Sequence, residues 1–165
     1  MILSDDTTIS VRNLTPAELE DYRDHLLRLE DGNRAARFAG PADDDFIRSY
    51  CLRLVSGPCV VVGALNREII RGACEVDIST EDGVAKLAFS VESTWQGRGV
   101  GLHLFKEALI TCFGLGAEQI MLFAPASNGR MQRLAKRFGF EADPSSGTGA
   151  FVKKLDSLAP VIAVA

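Results

Sequence analysis

"STWQGRGVGLHLF", residues 93–105, sets three glycines, Gly97, Gly99 and Gly101, at alternate positions between a hydrophobic run that reads as a strand and an apolar-periodic stretch that reads as a helix. Each glycine costs about 0.5 to 1 kcal/mol relative to alanine in regular structure. Three together point to a backbone that something must reach, with the helix start as the expected point of contact. The exposed N–H groups of a helix N-terminus carry partial positive charge and bind phosphate without any lysine. The same spacing also suits a tight turn with close packing of helix on strand, so the glycines alone leave two readings open.

Working upstream, "VAKLAFSVE" supplies the strand that enters the turn. It follows two others, Cys59 to Leu65 and Glu68 to Ile78, rich in β-branched or small residues and joined by a hairpin at "NRE", with "STEDG" as the next turn. Three strands linked this tightly predict an antiparallel meander. Before them, Thr15 reads as an N-cap, with Pro16 at the first helical position and Glu18 close behind, opening an amphipathic helix whose apolar face is Leu19, Tyr22, Leu26 and Leu29. "DGNRAARFAGP" reads as a turn-rich link, "ADDDFIRSYCLRLV" as a second helix, and "TTISVRNL", with Ile9, Val11 and Leu14, as a first half-buried strand.

Downstream, the helix from the glycine turn stops at Gly114 and Gly116, and "EQIMLFAPA" is a nearly continuous apolar strand. "SNGRMQRLAKRFGF" predicts a short cationic helix capped by Ser127 or Asn128 and ending at Gly139. "FEADPSSGTGAFVKKL" reads as a closing hairpin with a loose tip, and "APVIAVA" as an apolar tail. Without an internal repeat, linker or low-complexity block, residues 1–165 read as one domain, α/β (α+β), with a central mixed, mostly antiparallel sheet flanked by helices.

The whole chain narrows the function classes. Its 165 residues suffice for a core without metal or disulfide staples, and its formal charge of −4 argues against a nonspecific nucleic-acid binder. Cys51, Cys59, Cys74 and Cys112 form no CxxC pair and no cluster with histidine, so neither a metal site nor a disulfide framework is expected. Reduced thiols fit a cytoplasmic protein. "MILSDDTTIS" lacks a basic n-region, and no apolar run approaches the roughly 20 residues of a membrane span, so no membrane partner is expected.

Two phosphate motifs fail at the glycine turn. GxGxxG is broken at Leu102 or Leu104, depending on which glycine begins it, and GxxxxGK[ST] has no counterpart. Gln-x-x-Gly-x-Gly does match, as Gln96, Gly99 and Gly101. This resembles the acetyl-CoA-binding signature of the GNAT superfamily of N-acyltransferases. The likeness runs from about residue 59 to 154, through "GLHLFKEALI", "QIMLFAP", Asn128 and "KRFGF" with Gly139 and Phe140, and "NRAARFAG" resembles small bacterial domains related to protein lysine acetyltransferases.

The resemblance implies acetyl transfer from acetyl-CoA, as co-substrate, to a primary amine of a small molecule or a protein lysine. It implies that backbone donors over Gln96, Gly97, Arg98, Gly99, Val100 and Gly101 cradle the pyrophosphate. Phe89 and Val91, on a strand that splays from its neighbour, would pair with the pantetheine amides, and Asn128 would contact the pantetheine arm or the amine. A homodimer is left open. Each residue also has a plain reading: Asn128 as a helix cap, Phe89 and Val91 as core.

Amine acetylation needs a neutral amine, a polarised carbonyl and a proton for the departing thiolate. Where many lysine acetyltransferases of this family carry a glutamate, this chain has Ala85. Glu75, Asp77 and Glu92 are the substitutes to test, with solvent exposure as the alternative for Glu75 and Asp77. Phe138 stands in the helix where many members place a tyrosine acid, which leaves water or Ser127 to assist the thiolate. His25 and His103 read as structural or surface residues. A noncatalytic acyl-CoA-binding regulatory domain is therefore the alternative function.

Overall fold

The computed structural model describes residues 7–54, 57–79, 83–146 and 149–155. The opening residues 1–6, the turn at 80–82, the hairpin tip at 147–148 and the apolar tail at 159–165 lie outside these. Seven strands form one sheet in the order β1-β2-β3-β4-β5-β7-β6. β1 (Ser10–Asn13), β2 (Cys59–Asn66), β3 (Ile69–Ser79) and β4 (Val84–Val91) are antiparallel neighbours, the predicted meander with β1 added at its edge.

The chain then crosses over through α4 (Val100–Gly114) to β5 (Gln119–Phe123), which runs parallel to β4. A crossover of this length, carrying a helix, is what a parallel neighbour requires. After α5 (Gly129–Arg137), the strands β6 (Glu141–Ala142) and β7 (Ala150–Lys154) close the sheet, with β7 between β5 and β6.

Strand alternation sends side chains to two cores. Val62, Cys74 and Val76 meet Leu104, Phe105 and Leu109 of α4 on one face. Val61, Leu65 and Ala73 meet Tyr22 and Leu26 of α1 (Leu19–Leu27) and Ile47 of α3 (Asp44–Leu54) on the other. A single 3-10 turn, Pro16–Glu18, leads into α1, and Glu18 closes a capping box on Thr15 as the sequence suggested. One expectation is corrected. The stretch read as a turn-rich link contains α2 (Asp31–Phe38), a helix with no buried residue.

At Gly72, α4 sits close on the sheet. A Cβ there would lie 3.1 Å from Leu104 Cδ1 and 3.2 Å from both Val100 Cγ1 and the Ser90 carbonyl. The start of α4 is thereby seated on the β3–β4 pair. Just beyond it, Ala64 pairs with Gly72 but Leu65 pairs with Ile70, which leaves Arg71 as the extra residue of a β-bulge. Among the described residues, no helix is long and apolar enough to cross a membrane.

Candidate active site

β4 and β5 pair only over Val84–Leu87 and Gln119–Leu122. From Ala88 to Val91, β4 therefore has no ladder partner on the β5 side, and the strands part as expected. A cleft of about 780 Å³ opens there, lined by Phe89, Ser90 and Val91 of β4, the glycine turn, Gly32, Asn33 and Ala36 of α2, and the first turns of α5.

The floor of the cleft is the N-terminus of α4. Leu102 and His103 both donate to the Gly99 carbonyl, so the amides of Val100 and Gly101 precede the first intrahelical bond. Gly97 (φ 77°) and Gly99 (φ 95°) need glycine for their left-handed backbone. Gly101 does not share that need: it sits in the helix, and an added Cβ would meet only Leu134 Cδ2, at 3.8 Å. Neither backbone conformation nor internal crowding explains the missing side chain there. The space it leaves belongs to the cleft, while the positive φ of Gly97 and Gly99 suits the tight turn.

The expected cradle is corrected at its first residue, because the Gln96 amide is already bonded to the Ser93 carbonyl at 3.2 Å. The Gln96 side chain works as a tie. It donates to Asn33 Oδ1 (3.1 Å) and to the Val91 carbonyl (3.0 Å), and accepts from Arg130 Nη1 (3.0 Å). One amide thus joins α2, the end of β4 and α5 around the turn. Val100 contributes its amide alone, since its side chain is core, and Arg98 lies over the Trp95 ring at 5.2 Å. Asn128 caps α5 by accepting from the Met131 amide (3.2 Å), as its plain reading expected, and it also lines the cleft. Phe89 is partly core, stacked 5.0 Å from Phe105, while its backbone borders the parted strands.

Arg130, Arg133 and Arg137 are the charged residues lining the cleft. In a chain of net charge −4, an arginine-lined cleft over a helix N-terminus has the charge that suits an anionic ligand. The acetyltransferase (GNAT) family profile matches residues 15–140. The chain belongs to the GNAT family.

Solved GNAT structures share its fold. The GNAT domain of S. lividans PAT superposes with a TM-score of 0.81 at 19% identity, over 94% of this chain and 95% of that one. The PaiA N-acetyltransferase from Thermoplasma acidophilum, in complex with coenzyme A, gives 0.66 at 18% identity over 90% and 99%. A spermidine N-acetyltransferase SpeG chimera from Vibrio cholerae and hSSAT gives 0.63 at 18% over 83% and 82%. A search of curated protein sequences finds no match.

In this GNAT chain the three candidate carboxylates stand outside the cleft lining. Glu75 is neither solvent-facing nor free: it is buried on the α1–α3 face, paired with Arg37 Nη2 at 2.7 Å and hydrogen-bonded by Tyr22 (3.1 Å) and Tyr50. Asp77 is half-buried two residues on. Glu92 accepts from Arg28 Nε (2.9 Å) and Arg71 Nη1 (3.0 Å), the latter delivered by the bulge. Burial alone would raise the Glu92 carboxyl, but hydrogen bonds from His25, Arg28 and Arg71 outweigh it and hold it down at about 2. A carboxylate so stabilised accepts a proton poorly. Phe138 is 2% exposed and stacked 4.6 Å from Phe105 with parallel rings, a core position rather than a channel one.

Ser90, which the sequence reading left aside, reaches the cleft, and His25 lies behind it. Ser90 lines it, alternating with Phe89 and Val91 so that its side chain faces α1. His25, read as structural or surface, is fully buried against it, with Nε2 2.9 Å from Ser90 Oγ and Nδ1 3.4 Å from Glu92 Oε1. The signal was present in the α1 pattern, where His25 shares the face of Tyr22, Leu26 and Leu29.

Proposed function

We propose that this GNAT domain transfers an acetyl group from acetyl-CoA to a primary amine, of a small molecule or a protein lysine. The observation that carries the reading is Gly101, a helical glycine with no conformational or packing need, at the floor of an arginine-lined cleft between parted strands. The cleft suits the cofactor part by part. Amides from Gly97 to Gly101 and the α4 terminus offer donors to a pyrophosphate, and the unpaired edge of β4 at Phe89 and Val91 offers main-chain groups to pantetheine amides. When bound, acetyl-CoA supplies an activated acyl carbon. The chain's own part is to hold that carbon beside a neutral amine and exclude competing geometry.

Coenzyme A in the PaiA neighbour supports the co-substrate, and the substrate named for the SpeG neighbour supports a small amine as one acceptor class. Four free thiols and an acetyl-CoA substrate are consistent with a cytoplasmic enzyme. One observation favours the alternative of a noncatalytic acyl-CoA-binding domain: among the described residues, no carboxylate and no tyrosine lines the cleft.

Gly101→Asp tests the site with little risk to the fold, because the backbone there is helical and uncrowded. Calorimetric titration with acetyl-CoA is expected to show affinity reduced at least tenfold while circular dichroism is unchanged. Equal affinity in the folded variant rejects the site. Thiol release from acetyl-CoA over a panel of primary amines then separates enzyme from binding domain.

A further inference from the structure

We propose that Ser90, His25 and Glu92 form the proton relay of the transfer reaction, with Ser90 touching the amine, His25 holding its proton and Glu92 orienting His25. The inference rests on the acetyl-transfer reading of the cleft and supplies the base and acid that its lining lacks.

The geometry has three links. Ser90 lines the cleft on the stretch of β4 that β5 leaves unpaired, with its hydroxyl on the α1 side of the strand. His25 Nε2 lies 2.9 Å from that hydroxyl, within the range for a base receiving a serine proton. Glu92 Oε1 lies 3.4 Å from His25 Nδ1, with Arg28 and Arg71 fixing the carboxylate. A carboxylate at Nδ1 favours the tautomer with the proton there, which leaves Nε2 as an acceptor toward Ser90. A nucleophile or hydroxyl, a base within reach and a third group orienting the base is the arrangement that moves protons in hydrolases on unrelated folds.

The groups facing His25 are few. Tyr22 and Arg28 come from its own helix, Glu92 and Ser90 from β4 and its end, and the Ile70 carbonyl and Arg71, through Glu92, from β3. Burial is the largest influence and lowers the His25 pKa, against the opposing effect of Glu92. The imidazole is therefore neutral, and able to accept, at neutral pH.

As the amine nitrogen bonds to the acyl carbon and the carbon–sulfur bond breaks, Ser90 Oγ takes the proton leaving nitrogen. Ser90 passes its own proton to His25 Nε2. The same path in reverse returns one proton to the departing thiolate, so Ser90 and His25 end as they began and no bond to the protein forms. One relay serves as base and then acid, as the imidazole does in serine hydrolases.

The test uses Ser90→Ala, Ser90→Thr, His25→Gln and the double variant Ser90→Ala/His25→Gln. Acetyl-CoA affinity by calorimetry is read first and is expected to stay within threefold; loss of binding by the wild-type protein would count against the acetyl-transfer reading itself. Turnover with the best amine of the panel is expected to fall about 100-fold in Ser90→Ala and His25→Gln. The double variant should fall no further, because groups acting as a unit are not additive. Ser90→Thr, which keeps the hydroxyl, should retain most activity. In His25→Gln the acidic limb of the kcat–pH profile should disappear. Turnover preserved in Ser90→Ala, or additive losses in the double variant, overturns the relay. So does an acetyl group found on Ser90 by mass spectrometry, and so does a wild type that binds acetyl-CoA yet acetylates no amine.

Discussion

At the scale of single residues, the site depends on side chains that are absent as much as on those present. Gly101 is the clearest case, since alanine would be the better helix former and nothing inside the protein forbids it. Phe138 is the converse, a residue whose ring is wholly used by packing. It stacks on Phe105, which in turn stacks on Phe89 and meets Phe140 edge-on at 5.4 Å. Phe138→Tyr would place a hydroxyl where the ring is 2% exposed. A buried hydroxyl without a partner costs roughly 1–3 kcal/mol. Urea unfolding is therefore expected to show a lower midpoint with acetylation rate unchanged. A rate gain would instead return position 138 to the proton path.

At the scale of elements, α2 and α5 shape the cleft by different means. α5 brings Arg130, Arg133 and Arg137 to one face by spacings of three and four. Arg133→Glu combined with Arg137→Glu should weaken acetyl-CoA binding about tenfold or more at low salt, with the gap to wild type narrowing as ionic strength rises. A calorimetric affinity equal to wild type at low salt would remove α5 from phosphate recognition. The cationic character of α5 and the glycine turn were legible in the sequence, because both are local patterns. α2 was not legible. It is held mainly by polar ties, Asn33 to Ser93 and Gln96, and Arg37 to Glu75, with Phe38 packed edge-on against Phe46 and Tyr50 as its one large apolar residue, so it offers little apolar stripe for periodicity to find. The partners of Glu75, Glu92 and His25 were hidden for a related reason: they come from 38, 64 and 65 positions away, for Arg37, Arg28 and Ser90 respectively, and only the sheet's pairing brings them together.

At the scale of the whole molecule, two cores lie on opposite faces of one sheet, and the His25–Glu92–Arg28–Arg71 cluster ties α1 to the ends of β3 and β4 where the cleft opens. The cluster makes stability depend on pH in a definite direction. His25 has a folded pKa below its reference of 6.5, so the unfolded chain binds the extra proton first and stability declines as pH falls below about 6.5. Glu92 is lowered from 4.5 to about 2, so its contribution is complete above 4.5 and is lost as pH falls from there toward 2. Both steps lie on the acid side, and neither predicts a loss on going from pH 7 to 8. Urea midpoints at pH 7.5, 5.5 and 4 should fall in sequence, with the first drop abolished in His25→Gln. A wild-type midpoint equal at pH 7.5 and 5.5 would mean that His25 takes up its proton as readily folded as unfolded. The pull of Glu92 on the imidazolium would then offset the burial of His25 in full.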